Sequence, residues 1–224
     1  MSGLERLIHQ ITTGDILSEV DSKFSRTLTA WLSIGSTYTY LTAVRLEEIR
    51  KTENLKLLIN PFSIRNIMKA QNNIPFPPEK KEKTRYMWRD IERRAKKHGL
   101  PVPKTPVPYP LQEYDLANKI GLVANKEGWY LEYFRETYMT WFLEGKEAGS
   151  KQNLEETFKN LDKDLLQVFE KSKQSVIANE YNANTEEALA KGIFGAPSFS
   201  VENEIFWGDD RLEDAIEYLR EGKK

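Results

Sequence analysis

The chain has 224 residues, with 33 Lys and Arg against 34 Asp and Glu, and this net charge of -1 gives no global electrostatic case for nucleic acid or an anionic membrane as partner. Hydrophobic residues make up 39% and charged residues 30%, a soluble composition; the length suits one large domain or one domain with a sizeable insertion, and no apolar run approaches the ~20 residues of a membrane span. There is no cysteine, which excludes disulfides, thiolate metal sites and a self-contained Cys-x-x-Cys redox centre.

Residues 1–27 form a polar extension in which Leu4, Leu7, Ile8 and Ile11 have helical spacing and Gly14 ends the pattern. Its first ten residues lack the apolar core of a secretion signal, so a cytoplasmic protein is expected. Thr27 to Ser33 mixes β-branched and aromatic residues over a strand's length. Ser36 then stands where a helix N-cap is expected, and Tyr40, Leu41, Val44, Leu46 and Ile49 supply an apolar helical face up to Lys51. Leu55 to Ile59 reads as a second strand, buried on both faces or nearly so. Strand, helix and strand in so short a span make a βαβ unit with a right-handed crossover.

Between Pro75 and Pro110, proline clusters alternate with one helix, Lys83 to His98, which Gly99 can end in a left-handed turn. Residues 111–190 read as helices built on Leu116/Ile120/Val123, on Trp129/Tyr133/Phe134/Met139/Trp141/Phe142 and on Leu165/Val168/Phe169. Two short strands follow, Ser198–Val201 and Glu204–Trp207, joined by Glu202-Asn203, and a last helix buries Leu212, Ile216 and Leu219. The order predicts an α/β chain with a large all-helical insertion between a βαβ and a ββα half. The expected boundaries are 1–27 for the extension, 28–78 and 191–224 for the two halves, and 79–190 for the insertion.

Three places carry candidate chemistry. A hydroxyl such as that of Ser36, at the start of a helix, lies beside unpaired N–H groups and the positive end of the macrodipole, a setting that stabilises an anion. Pro197 follows Gly195-Ala196 and opens a strand; a cis bond at Ala196-Pro197 would turn backbone groups outward to pair with an extended peptide. Asp209 and Asp210 stand at the entrance to the last helix, as caps or as a carboxylate site for an ammonium group. The two histidines, His9 and His98, cannot by themselves supply a metal site or a triad, and no metal is expected. The basic residues of the Lys83–His98 segment, interleaved with Asp90 and Glu92, read as a solvated face.

Five motifs in order then identify a resemblance. They are Ser36-x-Tyr38-x-Tyr40-Leu41, Pro61-Phe62, Tyr86-Met87-x-x-Asp90-x-x-x-Arg94-x-x-x-x-Gly99-Leu100-Pro101, Gly192-x-Phe194-Gly195-x-Pro197-x-Phe199 and Phe206-Trp207-Gly208-x-Asp210-Arg211. Over residues 28–221 the chain resembles 2-hydroxychromene-2-carboxylate isomerases and the related kappa-class glutathione transferases, which have a DsbA-like thioredoxin fold. The resemblance implies glutathione as cofactor. Ser36 would hydrogen-bond its sulfur, Ala196 before cis Pro197 would pair with its cysteinyl backbone, and Asp210 with Asp209 beside it would hold its γ-glutamyl end. Asn73 and Lys83 match positions lining the glutathione or substrate side, and Tyr38 and Asp90 would face the substrate. The implied reaction is glutathione-dependent cis-trans isomerisation, or transfer, on a small aromatic or unsaturated electrophile, by a homodimer. The chain departs from the family pattern at Thr37, where proline is usual, at Ile74, where lysine is frequent, and at Asp209, where serine is frequent.

The energies suit that role. A free thiol has a pKa near ~8.5, so holding it ionised at neutral pH takes about two units, or roughly 2.7 kcal/mol. One charge-assisted hydrogen bond supplies about 1.5–3 kcal/mol, and a helix terminus about 0.3–1 kcal/mol. A non-catalytic thioredoxin-like module, holding a protein segment along its peptide-binding edge, is the alternative reading.

Overall fold

A computed structural model describes residues 27–73, 76 and 79–221. The expected helix within the extension, and Ile74, lie outside the described residues. A four-stranded sheet in the order β2-β1-β3-β4 forms the centre. Strand β1 (Leu28–Leu32) runs parallel to β2 (Leu57–Pro61) and antiparallel to β3 (Ser198–Val201), which pairs antiparallel with β4 (Glu204–Trp207). Helix α1 (Thr39–Thr52) is the crossover between β1 and β2. The fold is the expected α/β arrangement, with its helices inserted between the two sheet-forming halves.

Both faces of β1 are covered. On one side Trp31 meets Phe62, Ile64, Ile67, Ala188, Ile193 and Ala196 in a small cluster, and its indole N–H donates to Ser200 Oγ at 2.9 Å. The other side faces the main core, to which the insertion contributes Tyr130, Tyr133, Phe134, Tyr138, Trp141 and Phe142 from one helix. Tyr40 of α1 stacks on Phe142 with ring centroids 4.4 Å apart, a contact that adds about 0.5–1.5 kcal/mol beyond area burial.

After a short helix α2 (Ile64–Ala70), the insertion consists of α3 (Lys81–Lys97), α4 (Tyr114–Lys126), α5 (Tyr130–Glu144), α6 (Lys151–Asn160), α7 (Leu165–Ser172) and α8 (Ser175–Ala190). A 3-10 turn (Asp209–Arg211) leads into α9 (Leu212–Glu221). Among the described residues no helix is long and apolar enough to cross a membrane.

Strands β3 and β4 fall where alternation and the Glu202-Asn203 turn put them, and Glu202 takes the left-handed conformation at φ 54. Gly99 ends α3 at φ 67, as expected. Four details differ from the sequence reading. Strand β2 lies two residues later and forms a sheet edge, so Leu58 is 53% exposed rather than buried. Helix α2 was not anticipated, although Ser63 caps it through a bond from Asn66 N–H. Helix α1 begins at Thr39, with Tyr38 rather than Ser36 in the capping position. The Thr105-Pro106 and Tyr109-Pro110 peptides are cis as well as Ala196-Pro197.

Candidate functional site

The loop from β1 to α1 is built by its neighbours rather than by local capping. Gly35 has φ 126, a left-handed value that favours glycine. On its N-terminal side, Ile34 is held by the buried amide of Asn118 from α4. The Ile34 N–H donates to Asn118 Oδ1 at 2.8 Å, and Asn118 Nδ2 donates to Ile34 O at 2.9 Å. On the other side, the Tyr138 hydroxyl from α5 donates to Ser36 O at 2.9 Å and accepts from Gly35 N–H at 3.4 Å.

Ser36 does not cap the helix. Its hydroxyl crosses the chain and donates to Ala196 O at 2.6 Å. Thr39, the first helical residue, is three positions on, and a macrodipole acts mainly within its own first turn. Stabilisation of an anion here therefore falls chiefly to the hydroxyl. Next along the loop, Thr37 Oγ1 donates to Met87 Sδ at 2.9 Å, and the Tyr38 hydroxyl donates to Asp90 Oδ2 at 3.1 Å, both on α3. Burial first, and then the Asp90 carboxylate, push the Tyr38 phenol well above its ordinary pKa, so it remains a donor.

The opposing loop is equally fixed. Ala196-Pro197 is cis. The Pro197 carbonyl accepts from Gly208 N–H at 2.9 Å, and Ser198 Oγ donates to Gly195 O at 2.8 Å. The indole of Trp207 lies flat against Gly195; a Cβ there would come within 2.0 Å of its Nε1. Trp207 is 54% exposed and meets the exposed Phe194 edge-on at 4.8 Å.

The two adjacent aspartates part company. Asp209 is 2% exposed and turns inward. Its Oδ1 accepts from Thr42 Oγ1 at 2.9 Å and from Arg45 Nε and Nη2 at 3.2 and 3.1 Å, and its Oδ2 accepts from Arg94 Nη2 at 2.9 Å. This corrects the expectation that Asp209 faces a ligand: its oxygens are taken by α1 and α3. Arg45 also pairs with Glu213, and although burial works against ionisation, that partner holds the Glu213 carboxyl below its ordinary range. Asp210 points outward, with Oδ2 3.2 Å from Arg211 Nη2, and remains the carboxylate an ammonium group can reach.

Ser36, Ala196 and Pro197 are thus in one place, and Tyr38 and Asp90 are joined beside them. Asn73 is exposed, its N–H donating to Met68 O at 2.8 Å. Lys83 is exposed at the start of α3, with Nζ 5.2 Å from the centre of the Phe76 ring. Among the described residues no recorded contact joins either to the Ser36–Ala196 pair. Asn118 and Tyr138 were missed, since both sit in helices that read as core; a lone amide on an apolar helix face was the available signal, because buried polar groups must find partners.

Comparison with known proteins gives the family and the fold. The DSBA-like thioredoxin domain matches residues 27–220. A 2-hydroxychromene-2-carboxylate isomerase of Sphingobium xenophagum is 26% identical over 200 residues, covering 87% of this chain and 98% of that protein. Glutathione S-transferase kappa 2 of Caenorhabditis elegans is 24% identical over 203 residues, covering 85% and 90%. A solved structure of a 2-hydroxychromene-2-carboxylate isomerase superposes with a TM-score of 0.74 at 21% identity, over 86% of this chain and 95% of that one.

Proposed function

We propose, from the premise that this chain belongs to the DSBA-like thioredoxin-domain family while containing no cysteine, that it is an enzyme working through the sulfur of bound glutathione. In this reading it is a glutathione-dependent isomerase of the 2-hydroxychromene-2-carboxylate type, or a kappa-like transferase, acting on a small aromatic or unsaturated electrophile. The carrying observation is the Ser36 hydroxyl at 2.6 Å from Ala196 O, beside cis Pro197.

The residues fit glutathione. Pro197 O is occupied by Gly208 N–H, whereas Ala196 O accepts from a hydroxyl that can rotate. An extended peptide N–H can take over Ala196 O, which frees the Ser36 proton for a sulfur. Ser36 then exchanges a neutral hydrogen bond of about 0.5–1.5 kcal/mol for a charge-assisted one of about 1.5–3 kcal/mol. The exchange favours the thiolate without any base in the chain. Asp210 is open to the γ-glutamyl ammonium, and Tyr38, held by Asp90 and kept protonated, borders the place where the electrophile would sit. Bound there, glutathione supplies a nucleophilic sulfur able to add reversibly to an unsaturated carbon. With the reading go a small-molecule substrate, a cytoplasmic setting and a homodimer.

The test is calorimetric titration of glutathione into wild type and Ser36→Ala, with thiolate absorbance followed against pH. The bound thiol should titrate about one to two units higher in the variant, the loss of one charge-assisted bond. Tight binding with unchanged thiolate absorbance would remove Ser36 from the mechanism.

A second reading, a non-catalytic module that grips a protein segment, is favoured by one observation: the exposed Phe194–Trp207 pair beside the cis-proline loop. It predicts no thermal stabilisation by glutathione. A true ligand at ~100 times its dissociation constant adds ~2.7 kcal/mol.

A further inference from the structure

Ser36 can favour an ionised sulfur only if its hydroxyl keeps one direction. A serine side chain turns about a single bond, so its direction depends on how firmly the backbone beneath it is held. The preceding Gly35 sits at φ 126, and a glycine alone would leave this loop loose. Asn118 of α4 holds Ile34 on one side, and the restraint nearest Ser36 comes from α5. The Tyr138 hydroxyl lies 2.9 Å from Ser36 O, 3.4 Å from Gly35 N and 3.4 Å from Ser33 O. One phenol thus engages peptide groups before and after Ser36, across 102 residues of sequence. The ring is fixed in turn, fully buried and packed on Phe134, Trp141 and Phe142. Burial raises the phenol's pKa far above its ordinary value, so the O–H donor persists over any pH at which the thiol titrates.

We propose that Tyr138 is a positioning residue for Ser36: by pinning the peptide groups on either side, its hydroxyl sets where the Ser36 O–H points and hence how readily a thiol held there ionises. This role rests on the reading of Ser36 as the group that holds the glutathione sulfur. A hydroxyl of the same kind on the same helix supplies the control. Tyr133 is also buried and donates to Ala117 O at 2.9 Å, and among the described residues its hydrogen bond and its ring contacts with Trp129 and Phe158 lie outside the Ser36 loop.

The experiment titrates the thiolate absorbance of glutathione bound to wild type, Tyr138→Phe and Tyr133→Phe, with glutathione affinity and melting temperature measured on each. Both variants should melt lower than wild type. Only Tyr138→Phe should raise the titration midpoint, by about one unit, which is a tenfold loss of thiolate below the midpoint. Its affinity for the protonated thiol, below the wild-type midpoint, should match wild type, whereas above the variant's own midpoint it should fall about tenfold. If Tyr138→Phe titrates with wild type, or Tyr133→Phe shifts as much, the positioning role is wrong while the glutathione reading stands. If wild type itself binds no ionised glutathione, that reading falls and takes this role with it.

Discussion

Replacing Asp209 by alanine should unfold the protein far more readily than the same change at Asp210. The Asp209 carboxylate lies within hydrogen-bond reach of Thr42, Arg45 and Arg94 at 2.9–3.2 Å. Arg45 is itself buried, and without Asp209 its remaining counter-charge is Glu213, which lies near the surface. Removing one member of a buried ion pair costs about 3–5 kcal/mol, because the other charge stays behind unpaired. For a chain of this size that corresponds to a fall in melting temperature of about 6–20 °C. Asp209→Asn keeps an acceptor for Thr42 and gives up the charge, so its loss should be smaller, near the ~1.5–3 kcal/mol of a charge-assisted bond. Asp210→Ala, at an exposed position, should stay within ~0.5 kcal/mol of wild type. The assay is thermal and urea unfolding followed by circular dichroism on the three variants. An Asp209→Ala protein melting within ~2 °C of wild type would mean that the two guanidinium groups reach water on their own, and the inference from burial would be wrong.

Other outcomes are expected from the same coordinates. Asp210→Ala should weaken glutathione binding by a factor of up to about five in a calorimetric titration, the worth of one exposed ion pair; unchanged affinity would remove it from the site. Gly195→Ala should displace the Trp207 indole, since the new carbon would fall 2.0 Å from Nε1. The cost should be about 1–3 kcal/mol, with an emission change that disappears in a Trp207→Phe background. His98 is half-buried among Arg45, Arg94, Asp209 and Glu213, and burial first, then Arg45, holds its pKa below the ordinary value. The unfolded ring binds its proton near ~6.5 and the folded ring only at lower pH, so the unfolded state carries more protons in that window. Stability should therefore fall as pH drops below ~6.5, and the fall should be shallower in His98→Gln, measured by urea unfolding across that range.

What the sequence disclosed depended on how far away each residue's partner lay. Strands β3 and β4, the stop at Gly99 and the bend at Ala196-Pro197 follow from neighbours within a few positions, and the structure has them as read. Ser36 obeyed no such rule. Its local context called for a cap, but an acceptor 160 residues away took the hydroxyl instead. The two aspartates looked alike because helix-entry chemistry treats adjacent acids alike; what separates them is Arg45, 164 residues upstream, together with Arg94. Leu58 was read as buried because a run of apolar residues cannot say whether a strand lies at the centre of a sheet or at its edge. Asn118 and Tyr138 were hidden by good helical patterns, for periodicity reports which side of a helix is covered and not which polar atoms meet there.

The Ser36 loop borrows its shape from distant stretches of the chain: Asn118 at a separation of 84 residues, Tyr138 at 102, Ala196 at 160. On a ribosome adding about 5–20 residues per second, the hydroxyl emerges early, its clamp arrives midway and its acceptor comes almost last. A nascent chain can therefore join the Ser36 hydroxyl to its acceptor only after Ala196 has been made, when the last two strands are available to the sheet.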